Sequence, residues 1–201
     1  EKLIRLSRQR GIDARIFRVD DILFEYERGI MQENINNNAI ALIIKSFLEL
    51  GMIPDIDGFE YEFSYVDYTA KAIVLLVSLS GMPVNNFHIG NSAAVDLRAC
   101  LSDSTLDIHT DVVPLKKFLD TGIELFEKND PKYELFNQIV IHGMNGGDID
   151  LSYRASEVGS ELTRRILEKQ NFAWPALTSK VMNKFLAHCE KVGFISKRVY
   201  I

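Results

Sequence analysis

The side chains that could carry chemistry are scattered along this chain, and their spacing decides little in favour of any one reaction. A tyrosine can exchange a proton with a reacting carbonyl when a lysine one helical turn on lowers its pKa. None of the seven tyrosines, at 26, 61, 65, 68, 133, 153 and 200, has a lysine four residues later. Tyr68 has Lys71 on the same helix face, a spacing that a lysine snorkelling from a buried helix already explains. His88, His109, His142 and His188 are dispersed and form no HExxH or Cys/His pattern suited to zinc. His88, between Phe87 and Ile89, reads as a hydrogen-bonded strand histidine rather than a ligand. Asp55-Ile56-Asp57-Gly58 opens like a calcium loop, but Val66 stands where the loop needs its closing glutamate, so the segment reads as a turn. Cys100 and Cys189 form no CxxC pair and read as reduced thiols. No GxSxG elbow, GxGxxG or GxxxxGK[ST] motif occurs. Gly143, Gly146 and Gly147 follow a helix rather than a strand, which makes them a loop and not a phosphate cradle. By itself the chain holds no complete catalytic constellation and no metal site.

The elements that must position these residues alternate between strand and helix. After an amphipathic start, Gly11 is a helix C-cap and Ala14–Val19 a strand, with the turn-prone Asp20-Asp21 behind it. Apolar residues from Ile30 to Leu50 fall at helical spacing until Gly51 and Pro54 stop them. Tyr61, Phe63 and Tyr65 alternate as in a half-buried strand. Asp67 stands where an N-cap would, before Ala70–Leu79, a helix apolar nearly all round and therefore expected to be buried. Pro83–Ile89 reads as a strand closed by Gly90-Asn91, followed by a helix over Asp96–Ser102, a strand over Leu106–Val112 and a helix over Leu115–Glu127. Beyond Asn129-Asp130-Pro131 the pattern turns to helices at Tyr133–His142, Glu157–Gln170 and Ser179–Val192. Alternation of this kind marks an α/β arrangement. The expected organisation is residues 1–128 as α/β core with substrate-side segments and 129–201 as a C-terminal helical subdomain.

Composition bounds the class. The 201 residues are 47% hydrophobic and 25% charged, which suits a globular protein with a sizeable core. A formal net charge of −5 offers no broad basic face for nucleic acid. No apolar run approaches the roughly 20 residues of a membrane helix, and the first residues have no signal-peptide h-region. A cytoplasmic location is expected. Glu1 is not an initiator Met, and Lys2 to Arg10 read like a helix interior without a cap, as in a piece of a longer chain.

Several stretches taken together resemble a known family. Ile16-Phe17-Arg18-Val19 is similar to an "R-V-G-N" strand. Gly29-Ile30-Met31-Gln32-Glu33-Asn34-Ile35, with Glu49-Leu50-Gly51-Met52-Ile53-Pro54-Asp55, is similar to "DGxFQxNI…ELGxIPD". Glu62-Phe63-Ser64-Tyr65-Val66-Asp67-Tyr68 and Asn86-Phe87-His88-Ile89 through Asn91 look like "EFSPVDY" and "vFHlxN". Phe172-Ala173-Trp174-Pro175 and Gly193-Phe194-Ile195 resemble a closing "F-x-W-P…GFI". The order is that of the C-terminal part of a thioester reductase domain of nonribosomal peptide and polyketide synthetases, in the extended short-chain dehydrogenase superfamily. That resemblance implies an α/β, Rossmann-like fold with a mainly helical substrate-side subdomain. It also implies a parent enzyme that uses NADPH to release a carrier-bound peptidyl or acyl thioester as aldehyde or alcohol. The partner implied is a phosphopantetheinylated carrier domain. Phe17, Arg18 and Val19 would lie beside the nicotinamide, and Gln32 and Asn34 beside the thioester and its pantetheine arm. The catalytic Tyr/Lys pair and the glycine fingerprint would precede Glu1, so this chain alone is expected to be inactive. Where the family has Gly-Asn after its strand, this chain has Asp20-Asp21, which adds negative charge there.

Two other readings stay open. One keeps the fold with a different reaction, that of a fatty acyl reductase or a nucleotide-sugar epimerase. The other is a non-catalytic module that docks a carrier domain, for which Arg164-Arg165 with Lys169, or Lys180, Lys184 and Lys191, offer local basic surface. A strand such as Arg15–Val19 should be covered on both faces in a doubly wound domain, so association of copies is also expected.

Overall fold

In the computed structural model of the chain, residues 1–56, 60–82, 84–102, 110–143 and 159–196 are described. The elements run α1 (Lys2–Gln9), β1 (Ile16–Val19), a 3-10 turn (Ile35–Asn37), α2 (Ala39–Leu50), β2 (Met52–Asp55), β3 (Glu60–Tyr61) and α3 (Val66–Ser78). They continue with β4 (Asn86–Ile89), β5 (Val95–Asp96), α4 (Leu97–Ser102), β6 (Asp111–Pro114), α5 (Leu115–Glu127), α6 (Tyr133–Gly143), α7 (Glu161–Glu168) and α8 (Ser179–Lys191). The mixed α/β class read from the sequence is the class observed. The Asp57-Gly58 turn, the residues from Leu106 to His109 of the expected strand, and Gly146 and Gly147 lie outside the described residues.

The chain makes two compact units, each assembled from three stretches. The first comprises Glu1–Ile22, Glu62–Ala93 and Ala155–Ala176, and the second Leu23–Tyr61, Ala94–Arg154 and Leu177–Ile201.

In the first unit β1 pairs with β4 in parallel, Ile16 opposite Asn86 and Val19 opposite Ile89. Alternation sends Phe87 and Ile89 to one face, where they are buried with Ala72 and Leu76 of α3 and Leu167 of α7. Phe17 stacks on Phe87 with ring centroids 5.4 Å apart. The C-terminus of α3 has no glycine cap; Arg15 supplies the donors. Its guanidinium donates to the carbonyls of Leu76, Val77 and Leu79, the last at 2.7 Å.

In the second unit β2 pairs with β6 in parallel and β3 with β5 antiparallel. Helix α2 begins at Ala39 rather than in the Ile30 stretch. Asn38 is its N-cap, with Oδ1 accepting from the Ala41 N–H at 3.0 Å, and Gly51 closes it in the left-handed conformation at φ +69°. Phe24 stacks on Phe185 of α8. Gly29, at φ +70°, lies so close to α8 that a Cβ there would overlap the backbone at Lys184 and Phe185.

Two local expectations fail in helix α3. It starts at Val66 with Tyr65 as N-cap, so Asp67 is not the cap but a first-turn carboxylate, placed to meet the helix dipole and 4.0 Å from Lys71. Nor is the helix buried all round. Thr69, Ala72 and Leu76 are buried, whereas Val74 and Val77 are 63% and 56% exposed. The strand expected over Tyr61–Tyr65 is reduced to β3 and a single bridge from Ser64 to Ile22.

Candidate functional site

In parallel α/β sheets ligands bind outside the carboxyl ends of the strands, because the strand termini and the loops that follow leave a crevice there. In the first unit that edge is formed by Asp20-Asp21 after β1 and Gly90-Asn91 after β4. A short network holds it. The Asp20 N–H donates to the Ile89 carbonyl at 3.1 Å, and the Ser64 N–H to the Asp21 carbonyl at 2.8 Å. Ser64, fully buried, accepts on Oγ from the Asn91 N–H at 2.9 Å. Asn91, 4% exposed, accepts on Oδ1 from the Ala93 N–H at 3.2 Å, which orients its amide.

Beside this edge lies a cavity of ≈ 310 Å³, lined by residues 91–93, by Arg164, Leu167 and Glu168 of α7, and by Phe172, Ala173 and Trp174. Its aromatic wall is a packed cluster of rings. Phe172 and Trp174 meet edge to face at 5.3 Å, and both approach Tyr68, itself capped by the Lys71 ammonium 4.1 Å from the ring centre. At the rim Arg164 donates from Nε to Glu161 at 3.1 Å, from Nη1 to Glu168 at 3.0 Å, and from Nη2 to Glu161 again. Arg165 also donates to Glu161, at 2.6 Å. The i,i+3 and i,i+4 spacing that builds these pairs makes the Arg164-Arg165 stretch a neutralised helix face. These guanidinium bonds hold the Glu161 carboxyl below its ordinary range.

The residues expected beside a cofactor or substrate fall in both units. Phe17 packs into the first unit's apolar cluster, while Arg18 and Val19 are exposed on β1. Arg18 grips Glu1 with two bonds, 2.8 and 2.7 Å, and its Nη1 lies 2.9 Å from His88 Nε2. In that contact Nε2 faces a guanidinium donor, and among the described residues the buried Nδ1 has no hydrogen-bond partner. His88 is thus a hydrogen-bonded strand histidine, and its backbone N–H also donates to Thr163 at 3.1 Å. Gln32 and Asn34 are exposed in the second unit, ahead of the 3-10 turn that Asn34 begins. Among the described residues no group of three His, Cys, Asp or Glu side chains gathers as a metal site, and no helix is long and apolar enough to cross a membrane. Both cysteines are free thiols; burial pushes Cys189 up to about 12.

Asp20 sets the electrostatics of the strand edge. Its carboxylate lies directly over Gly90, where it fills the space a Cβ would need. Burial first, and Asp21 second, raise its pKa, while His88 works the other way. A dinucleotide pyrophosphate requires a glycine-rich turn between strand and helix and a positive environment. Two carboxylates after β1, and no such turn among the described residues, do not fit a pyrophosphate at this strand edge. Asn91, Ser64 and Trp174 form the structured part of this edge, and in the sequence they stand out only as a strand terminator and members of longer stretches. The aromatic F-x-W-P stretch was the available signal.

No protein-family model matches the chain. Its fold matches part of solved reductase domains from nonribosomal peptide and polyketide biosynthesis. A thiolation-reductase di-domain from an archaeal nonribosomal peptide synthetase superimposes with a TM-score of 0.75 at 23% identity, over 96% of this chain and 39% of that one. The terminal R domain of the myxalamid pathway gives 0.75 at 17% identity, over 97% of this chain and 48% of that one. The reductase domain of the aureusimine cluster gives 0.69 at 18% identity, over 94% and 47%. In sequence, the chain is 30% identical over 103 residues to glycine betaine reductase ATRR of Emericella nidulans, covering 51% of this chain and 8% of that protein. A linear gramicidin synthase polypeptide of Brevibacillus parabrevis is 31% identical over 96 residues, 48% of this chain and 2% of that polypeptide. The chain therefore spans less than half of these solved chains and under a tenth of these curated relatives.

Proposed function

We propose that this chain is the substrate-side part of a carrier-thioester reductase, an oxidoreductase that releases a peptidyl or acyl group from a phosphopantetheinylated carrier as aldehyde or alcohol. The observation that carries the reading is the match of nearly the whole chain to three synthetase reductase domains. The sequence matches to a reductase and to a peptide synthase point the same way. In this reading NADPH delivers the electron pair, and most of its site lies outside this chain. The exposed end of β1 at Arg18 and Val19, with Phe17 behind it, flanks the nicotinamide, and Gln32 and Asn34 flank the pantetheine arm. The chain's own contribution is to bind and orient the carried group.

The test compares the 201-residue chain with a protein extended upstream of Glu1, each given NADPH and an acyl thioester on a carrier domain. Loss of NADPH absorbance with the longer protein alone is the expected result. A longer protein that binds the carrier but leaves NADPH unoxidised overturns the reductase reading in favour of a docking module.

A further inference from the structure

The cavity beside Asn91 has features that select its occupant. A volume of ≈ 310 Å³ is at the small end of ligand sites, enough for one side-chain-sized group. Leu167, Phe172 and Trp174 give it an apolar, partly aromatic wall, already held in the first unit's core cluster, so binding needs no ordering of these rings. Asn91 adds one polar contact. Its Oδ1 is engaged by the Ala93 N–H, and among the described residues its Nδ2 has no hydrogen-bond partner, although the residue is 4% exposed and lines the cavity. That amide can donate to an acceptor on a ligand in place of water. The rim, in contrast, disfavours anions. All three nitrogens of Arg164 already donate to Glu161 and Glu168, and Glu168 itself lines the opening. Among the described residues that line the cavity, the one cation, Arg164, is already paired with two carboxylates.

We propose that this cavity is the acyl-recognition pocket of the chain. It takes an uncharged group with an aromatic or branched apolar side chain, whose carbonyl oxygen accepts a hydrogen bond from Asn91 Nδ2. The inference rests on the thioester reading for the source of that group, and it assigns Asn91 and Trp174 the choice among acyl groups.

Trp174 is the only tryptophan of the chain, so its emission reports the pocket directly. The 201-residue chain is titrated with the N-acetylcysteamine thioester of N-acetylphenylalanine, with acetyl-N-acetylcysteamine, and with free N-acetylphenylalanine. A saturable change in emission with the aromatic thioester is expected, with binding about tenfold or more weaker for the acetyl thioester and for the free carboxylate. Asn91→Leu removes the donor and should weaken the aromatic thioester about tenfold. Ser92→Leu, at an exposed position of the mouth, should weaken it without disturbing the Asn91 turn, and circular dichroism checks that both variants fold. Equal binding of the carboxylate, or no response to any thioester, overturns the pocket. Failure of the reductase reading shows differently, as aromatic-thioester binding here with no NADPH oxidation by the longer protein.

Discussion

Asp20 is a carboxylate in an unfavourable place. Half-buried over Gly90 and next to Asp21, it holds its proton to higher pH in the folded chain than in the unfolded one. The folded state therefore binds more protons across that window, and stability falls as pH rises from the ordinary aspartate value through the raised one. Asp20→Asn should melt at a higher temperature than the parent at neutral pH, and the difference should shrink to nothing as pH drops through the carboxylate range. Parallel melting curves at every pH would show that Asp20 carries no such burden. At this scale the sequence was poor about the chemistry that is built. Asn91 and Ser64 were visible only as members of longer stretches, because the cavity joins residues 91–93 to α7 and to 172–174, which are far apart along the chain. Arg164-Arg165 read in the sequence as basic surface, whereas the i,i+3 and i,i+4 spacing lets Glu161 and Glu168 pair with Arg164.

At the scale of elements, helices with a regular apolar stripe and an ordinary stop were legible to the residue. Helix α5 spans the expected Leu115–Glu127, and Gly51 ends α2 in the left-handed conformation. The starts were harder. Ile35, buried on a 3-10 turn, keeps the spacing of a helix that does not begin until Asn38 caps it. Tyr65 precedes α3 without a side-chain cap, so no capping residue marks that start. The end of α3 was illegible, since its cap comes from Arg15 on the approach to β1. That guanidinium is only about a tenth exposed and satisfies carbonyls that a helix terminus otherwise leaves unpaired. Arg15→Met should cost about 1.5–3 kcal/mol in chemical denaturation, with Arg15→Lys recovering part of it. An unchanged midpoint in both would refute the capping role.

For the whole molecule, the α/β alternation was legible, but the assembly of two units from interleaved stretches was not, because pattern along a sequence says nothing about which distant segments share a core. The first unit leaves Leu3 and Val19 exposed along with Val74 and Val77 of α3. Apolar side chains in that number favour self-association, and light scattering should show a mass above that of one chain, rising with concentration. A single species of one-chain mass that melts cooperatively would contradict it. The interleaving also governs how the chain is made. At about 5–20 residues per second, synthesis of all 201 residues takes roughly 10–40 s. For much of that time β1 has left the ribosome with no β4 to pair with. Leu167 reaches the first core, and Phe185 the second, only after most of these residues are made. Neither unit can close while its last stretch is still being synthesised, so β1 waits for β4 and Leu167 before its core is complete.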